Sequence, residues 1–307
     1  MSGSEARIGV DIGGTKIAAI VLGRDGEVLA RGRVATPRGD YERTVAAVAD
    51  LVAEVDPGPD RRASVGVGIP GAESLATGLV KNANSVWLNG QPLARDLARA
   101  LDRPVRLAND ANCFALSEAT DGAAAGAGVV FGAILGTGVG GGIVVDGRVL
   151  VGVNAVAGEW GHNPLPWPGD AERPGPPCYC GKRGCIEAFL SGPGLARDFG
   201  DGNGGATVEA AEIAARAAAG DGLAEAALAR YEDRLARALA TVINVLDPDA
   251  IVLGGGLSNL DRLYAKVPEL LPGYVFSDRV DTRLLRAKHG DASGVRGAAW
   301  LWPARGD

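Results

Sequence analysis

Two stretches of the chain repeat the same order of elements. The first runs strand RIGVDI (7–12), loop Gly13-Gly14-Thr15, strand KIAAIVL (16–22), a turn at Arg24-Asp25-Gly26 and strand EVLARGRV (27–34). The second runs VVFGAIL (129–135), loop GTGVGG, strand GIVV, a turn at Asp146-Gly147 and strand RVLVG. Asp-Gly between apolar runs signals a hairpin, and β-branched runs favour strands. Two copies of one unit tend to pack about a pseudo-twofold axis with equivalent loops facing each other. One cleft lined by two glycine-threonine loops is the expected consequence.

Between and after the copies, strands alternate with helices. Tyr41–Val55 has helical spacing after a capping Asp40, ASVGVGIP reads as a strand, PLARDLARAL as a helix and PVRLAND as a strand. An irregular Pro/Gly-rich section fills 158–185. Leu228, Tyr231, Leu235, Leu239, Val242 and Leu246 then mark one face of a long helix that Asp247-Pro248 stops. AIVLGGG is a strand running into a glycine loop, and SGVRGAAWLW is a final helix. The fold class is therefore α/β with a mixed sheet in each half. With 307 residues, two lobes are expected. The first takes 1–115 and is joined by a C-terminal helix, 292–307; the second, larger, takes 116–291 and carries a metal loop at 158–187.

A net charge of −6 leaves no basic stripe for a nucleic-acid backbone or an anionic membrane, so neither is an expected partner. Phosphates, if bound, must be held by a local site and a cation. The opening MSGSEAR lacks the apolar core of a secretion signal. Gly122–Val145 is charge-free and long enough to span a bilayer, but its many glycines read as two buried strands around a loop. The expected location is the cytoplasm.

The loop before Lys16 has the ingredients of a phosphate-binding loop without the Walker A order, since the lysine follows the threonine and opens a strand. Gly13, Gly14, Thr15 and Lys16 could present N–H groups and a cation to a nucleotide phosphate, as could Gly136, Thr137, Gly138 and Gly140 in the second copy. Asp11 would hold Mg²⁺, through water. Either loop alone reads as a tight hairpin; both together, in repeated context, favour a nucleotide. Asp110, in LANDAN at the carboxyl end of PVRLA, fits a catalytic base that deprotonates an acceptor hydroxyl, and fits equally the cap of the next helix.

A second constellation runs from Gly158 to Glu187. It holds His162 and three of the four cysteines, Cys178, Cys180 and Cys185, a donor set suited to structural Zn²⁺ with no position left for water. Clustered thiols in a chain without an export signal argue for metal before disulfides. With one ring nitrogen on zinc, the other nitrogen of His162 becomes a donor able to face a sugar hydroxyl, beside Glu159 and Glu187. Cys113 reads as a core residue and His289 as structural.

Taken together and in order, DIGGTK, GIPG, NDANC, GTGVGGG, GEWGH, CYCGKRGCIE and IVLGGG resemble the ROK family of repressors and sugar kinases, from about Arg7 to Trp302. The resemblance implies an actin-like (ribonuclease H-like), duplicated, two-lobed ATPase fold, with ATP between the lobes and a sugar beneath its γ-phosphate. It implies Asp110 as the base. Asn109, Glu159, His162 and Glu187 would hold sugar hydroxyls, and Gly71 and Asn84 would line the pocket. His162, Cys178, Cys180 and Cys185 would bind zinc, and Gly255 and Gly256 would approach the adenosine. Phosphorylation at O6 and a homodimer are implied in the same way.

Within the family, VKNANSVWLNGQPL, SEATDGAAAGA, GEWGHNPLPW and HGDASGVRGAAWLW look most like bacterial fructokinases, so D-fructose is the expected sugar, with mannose or glucose also accepted. N-acetylglucosamine kinases of the family share NDANCFALSEA and GTGVGGG and form the alternative, beside a non-catalytic sugar sensor. The interval between His162 and Cys178 is longer than in many relatives, with a Pro-rich insert at 164–177. ROK repressors carry a helix-turn-helix ahead of the kinase-like part, for which the residues before Asp11 leave no room, so an enzyme is expected.

Overall fold

A computed structural model describes residues 6–56, 58, 63–205 and 208–302. In chain order the elements are β1 (Arg7–Ile12), β2 (Lys16–Leu22), β3 (Val28–Ala35), α1 (Tyr41–Val55), β4 (Ser64–Ile69), β5 (Ala72–Glu73), β6 (Val80–Lys81), α2 (Leu93–Leu101), β7 (Val105–Asn109) and α3 (Asp110–Thr120). There follow β8 (Val129–Leu135), β9 (Val139–Val145), β10 (Arg148–Val149), α4 (Ile186–Leu190), α5 (Gly192–Gly202), α6 (Ala210–Ala218), α7 (Gly222–Leu246), β11 (Ala250–Gly254), α8 (Arg262–Leu270), β12 (Arg283–Arg286) and α9 (Ser293–Trp300).

The two copies read in the sequence seed two five-stranded sheets of one topology, β3-β2-β1-β4-β7 and β10-β9-β8-β11-β12. In the first, β1, β2 and β3 form an antiparallel meander, while β4 and β7 extend β1 in parallel. In the second, β10 pairs antiparallel with β9, and β11 is parallel to both β8 and β12. This is the duplicated, actin-like α/β architecture. Its central strands are near-continuous apolar runs because helices cover both faces; β3, at an edge, alternates between exposed and half-buried residues.

By contacts the chain divides into two compact units. One comprises the chain to Gly126, Gly142–Ala157 and the chain from Lys288; the other comprises Ala127–Gly141 and Gly158–Ala287. In the first, α9 lies directly on β1 and β4. A Cβ on Gly9 would fall 2.0 Å from the Val295 carbonyl, one on Gly66 1.9 Å from the Ala298 carbonyl, and one on Gly297 1.6 Å from the Cys113 carbonyl. Glycine in these strands therefore marks backbone approach, not a turn.

In the second unit α7 organises the core. Asp221 caps it by accepting the Leu223 and Ala224 N–H groups, and Asp247, in the left-handed region at φ 47°, ends it before Pro248. Leu228, Tyr231, Leu235, Leu239 and Ile243 are buried along it, each worth about 1.5–3 kcal/mol as a large apolar side chain removed from water. Val242 and Leu246, expected on that face, are only half-buried.

Three elements differ from expectation. The final helix is shorter than 292–307, spanning Ser293–Trp300, and 303–307 lie outside the described residues. RVLVG contributes only a two-residue strand. The GTGVGG loop is shorter than read, because β9 already begins at Val139. A Cβ on Gly141 would lie 2.7 Å from the Trp160 ring, and one on Gly142 2.4 Å from the Ala111 carbonyl, so these glycines make room within a strand. Among the described residues no helix is long and apolar enough to cross a membrane.

Candidate active site

In the first unit the carboxyl ends of three parallel strands lie in register, Asp11 of β1 opposite Gly68 of β4 and Gly68 opposite Ala108 of β7. Burial pushes the Asp11 carboxyl up to about 6; the charge of Asp110 adds to the shift and that of Lys16 opposes it. Cys113 lies behind them, fully buried. Its thiol is held well above the usual range by burial and then by Asp11 and Asp110, as befits a core residue.

Asp110 occupies the first position of α3, but the cap is Asn109, whose side chain accepts the Ala111 N–H at 2.9 Å. One oxygen of Asp110 also accepts that N–H, at 2.8 Å. Asn109 is thus the N-cap, and Asp110, at the first helical position, shares the same N–H with it. Asn109 further donates to the Gly71 carbonyl at 3.2 Å, and the Asn84 N–H donates to the Pro70 carbonyl at 3.1 Å, so Gly71, Asn84 and Asn109 gather at one end of the sheet. A Cβ on Gly71 would meet Ala83 Cα and the Lys81 carbonyl, both at 2.8 Å, which accounts for the glycine by packing.

The Gly13-Gly14-Thr15 loop is fixed from behind by residues that sequence reasoning passed over. Thr36 Oγ1 donates to the Gly13 carbonyl (2.7 Å), Arg38 Nε to the Gly14 carbonyl (2.6 Å) and the Thr36 N–H to the Thr15 carbonyl (3.0 Å). The signal was the polar Thr36-Pro37-Arg38 directly after the third strand. The Gly13 N–H returns to the Lys16 carbonyl at 3.0 Å, and Lys16 opens β2 as expected. A Cβ on Gly14 would have only Ser85 Oγ within reach, at 3.9 Å. The protein's own packing does not demand glycine there.

In the second unit Gly136, Thr137 and Gly138 form the turn between β8 and β9, closed by the Gly136 N–H on the Gly138 carbonyl at 2.9 Å. Gly140 lies within β9, and its carbonyl accepts Trp160 Nε1–H at 2.8 Å, tying the strand to the short helical turn that carries His162. Glu187 binds the glycine turn to the cysteine-bearing loop. Its Oε2 accepts the Val139 N–H at 2.9 Å and would lie 2.7 Å from a Cβ on Gly138. Gly255 and Gly256 follow β11. Gly255 needs glycine on two counts, a φ of 80° and a Cβ that would lie 2.4 Å from the Leu135 carbonyl, whereas a Cβ on Gly256 or Gly136 would meet nothing within 4 Å.

His162, Cys178, Cys180 and Cys185 converge, with ligand atoms all within 4.8 Å of one another. Cys178 Sγ is 3.6 Å from His162 Nδ1, and Cys180 Sγ is 3.6 Å from Cys185 Sγ. Metal–sulfur bonds of about 2.3 Å and metal–nitrogen bonds of about 2.0 Å put tetrahedral ligands roughly this far apart, so the donor set fits a four-coordinate cation. A tight loop presents it, the Cys178 N–H reaching the Lys182 carbonyl at 2.8 Å and the Gly181 N–H the Cys178 carbonyl at 3.0 Å. Burial, then the neighbouring thiols, pushes Cys185 up to about 12, so the thiols need a cation to ionise together.

Glu159 begins the His162 turn and Glu187 lies in the first turn of α4. The free nitrogen of His162, expected to face a sugar, meets the Tyr179 hydroxyl at 2.9 Å. Tyr179, between two of the cysteines, is a second residue that motif reading passed over. The Pro-rich insert is anchored on α7, where Arg237 Nη1 donates to the Pro166 (3.0 Å) and Trp167 (2.9 Å) carbonyls, and Arg234 and Arg237 both pair with Glu172.

The model of the ROK family matches residues 7–305. The chain is 44% identical over 299 residues to an N-acetyl-D-glucosamine kinase of Citrobacter koseri, covering 95% of this chain and 98% of that one. Among solved structures it is similar to a ROK hexokinase from Thermus thermophilus, with a TM-score of 0.84, 33% identity and coverage of 96% and 97% of the two chains. It is also similar to a ROK family glucokinase from Streptomyces griseus in complex with glucose and AMPPNP, with a TM-score of 0.78, 31% identity and coverage of 96% and 98%. These relatives match the expected family and do not carry the expected fructokinase preference. The chain belongs to the ROK family and stands among that family's sugar kinases.

Proposed function

We propose that the chain is an ATP-dependent N-acetyl-D-glucosamine kinase, transferring the γ-phosphate to a sugar hydroxyl, O6. The observation that carries the substrate is the 44% identity to an N-acetyl-D-glucosamine kinase across nearly the whole of both chains. The bound AMPPNP of the Streptomyces relative supports ATP as donor.

In this reading Asp110, at the head of α3, accepts the proton of the attacking hydroxyl as the new O–P bond forms and the bond from the γ-phosphate to the departing ADP breaks. Thr15, Lys16 and the Gly14 N–H bind phosphate oxygens, while Gly13 closes the loop through its own N–H on the Lys16 carbonyl and the carbonyls of Gly13, Gly14 and Thr15 are engaged by Thr36 and Arg38. Gly136, Thr137, Gly138 and Gly140 serve the same end in the second unit, and Gly255 and Gly256 receive the adenosine. Open space around Gly14, Gly136 and Gly256 supports a ligand, not packing, as the reason for glycine at those positions. Asp11 would hold Mg²⁺, which supplies positive charge to the phosphates. In the second unit Glu159, His162 and Glu187 are assigned to sugar hydroxyls; in the first unit Asn109, Gly71 and Asn84 are.

His162, Cys178, Cys180 and Cys185 would hold Zn²⁺ as a structural ion that fixes the loop. Three thiols kept for metal suit a reducing compartment such as the cytoplasm. A homodimer is proposed from the family likeness, to be checked by light scattering.

A kcat/KM panel with ATP, Mg²⁺ and N-acetylglucosamine, glucose, mannose and fructose tests the reading. N-acetylglucosamine is expected to lead by at least about tenfold, the scale that placed hydrogen bonds give. Fructose in the lead would restore the fructokinase reading, and sugar binding without ADP formation would make the chain a sensor.

A further inference from the structure

The chain after β6 carries a serine whose position is fixed and whose hydroxyl the fold does not use. Asn89 clamps Ala83 at both backbone groups, its Oδ1 accepting the Ala83 N–H at 2.8 Å and its Nδ2 donating to the Ala83 carbonyl at 3.0 Å. The Asn84 N–H reaches the Pro70 carbonyl at 3.1 Å, and the Ser85 carbonyl accepts the Leu88 N–H at 2.9 Å. Ser85 thus stands at the cap position of the short helical turn Val86–Leu88 and is only 3% exposed, yet its side chain caps nothing. Among the described residues none hydrogen-bonds to its hydroxyl. Taking a hydroxyl out of water without a partner costs free energy, so an unused one on a pinned frame points to a ligand.

That hydroxyl borders the Gly13-Gly14-Thr15 loop, within the same unit. Apart from the adjoining loop residues, Ser85 Oγ is the one described atom within 4 Å of a Cβ on Gly14, at 3.9 Å. The Gly13 and Gly14 carbonyls are held by Thr36 and Arg38, and neither accepts from Ser85. An O–H···O bond is about 2.7–2.8 Å long, so an oxygen lodged in the room that Gly14 leaves need come only about 1 Å nearer than a methyl there to accept from Ser85. The phosphate assigned to this loop supplies such an oxygen.

We propose that Ser85 is a further catalytic residue. Its hydroxyl donates to an oxygen of the transferred phosphoryl group while the bond from that group to ADP breaks, the bond to the sugar oxygen forms and the sugar proton passes to Asp110. The proposal rests on the sugar-kinase reading above and adds a donor from outside the glycine loop. Charge in this transfer is spread over the phosphoryl oxygens, and a donor already in place stabilises it without reorganising. Asn84, the residue before it, is assigned to the sugar, so one short segment serves both reactants.

The test is Ser85→Ala in the full-length protein, with steady-state kinetics on the sugar that the wild type uses best and calorimetric binding of AMPPNP, ADP and that sugar in Mg²⁺. The expected result is a roughly 10–100-fold fall in kcat, with KM for sugar changed less than about twofold. AMPPNP should bind at least about threefold more weakly, while ADP, which has no γ-phosphate, binds as it does to the wild type. Tm stays at the wild-type value, because the hydroxyl has no protein partner to lose. Unchanged kcat, weaker sugar binding with AMPPNP unaffected, or a lower Tm with equal losses on both nucleotides would overturn the role while leaving the kinase reading intact. A wild-type protein that makes no sugar phosphate from ATP would overturn both.

Discussion

Arg237 donates to both carboxylate oxygens of Glu172, at 3.0 and 2.8 Å, while the same Nη1 nitrogen holds two carbonyls of the Pro-rich insert. Arg234 adds a bond to Glu172 at 2.7 Å. Burial raises the Glu172 carboxyl, but these donors and the Gly169 N–H overcome it and hold the group at about 2, against an ordinary 4.5. The stabilisation is complete above pH 4.5 and is lost as pH falls from there toward 2. Urea denaturation across that range should lose on the order of 1–3 kcal/mol. Glu172→Gln removes this dependence. At pH 7 it costs about 1–3 kcal/mol, because two buried guanidinium groups each lose a carboxylate and keep only Asp198 or Asp233, and a neutral outcome would show that those two partners suffice.

Asp11 has the opposite sign. Its folded value of about 6 lies above the ordinary 3.8, so the folded state binds the proton more tightly, and stability falls as pH rises through this window. Asp11→Asn should therefore raise the stability of the ligand-free protein at pH 8 by up to about 3 kcal/mol, with little gain at pH 4, and should abolish turnover. Matched thermal melts at the two pH values decide it.

Asp110→Asn should lower kcat by roughly 10²–10⁴ with KM for sugar nearly constant, as expected for a group that acts on the proton in the transition state. Unchanged turnover in a stopped assay would take the base role from Asp110.

For the metal loop, Cys180→Ala should lower zinc content, measured by mass spectrometry, and Tm together, because binding at such a site is coupled to folding of the loop. Sugar affinity should fall too, since Glu187 and His162 are positioned by that loop. Full activity after exhaustive chelation would count against any structural ion.

Gly297→Ala should be among the most damaging small changes, because its methyl would sit 1.6 Å from the Cys113 carbonyl in α3. Overpacking of this kind costs about 1–3 kcal/mol or more. Because Asp110 begins that helix, kcat should fall with stability.

The meander of β1 to β3 and the ends of β8 and β11 were legible because turn chemistry and apolar runs are local signals. The convergence of His162 with three cysteines was legible because clustered thiols are rare. The GTGVGG loop was read too long because a glycine that makes room within a strand, as Gly141 does for Trp160, looks in one dimension like a glycine that turns the chain. Asn109 and Asp110 are both good caps, and only backbone geometry shows which one caps. Glu172 lies over sixty residues from Arg234 and Arg237, with no periodicity to join it to them. The fructokinase likeness was read from VKNANSVWLNGQPL, SEATDGAAAGA, GEWGHNPLPW and HGDASGVRGAAWLW, whereas the 44% identical relative is an N-acetyl-D-glucosamine kinase, and NDANCFALSEA and GTGVGGG, shared by both kinds, could not separate them.

The placement of α9 reverses the order of synthesis and assembly in the first unit. Strands β1 and β4 leave the ribosome early, but the face that Gly9 and Gly66 open on them is covered by residues 293–300, made long after both. Until then that sheet waits with an apolar side bare, a window in which a chaperone decides whether the nascent chain matures or aggregates.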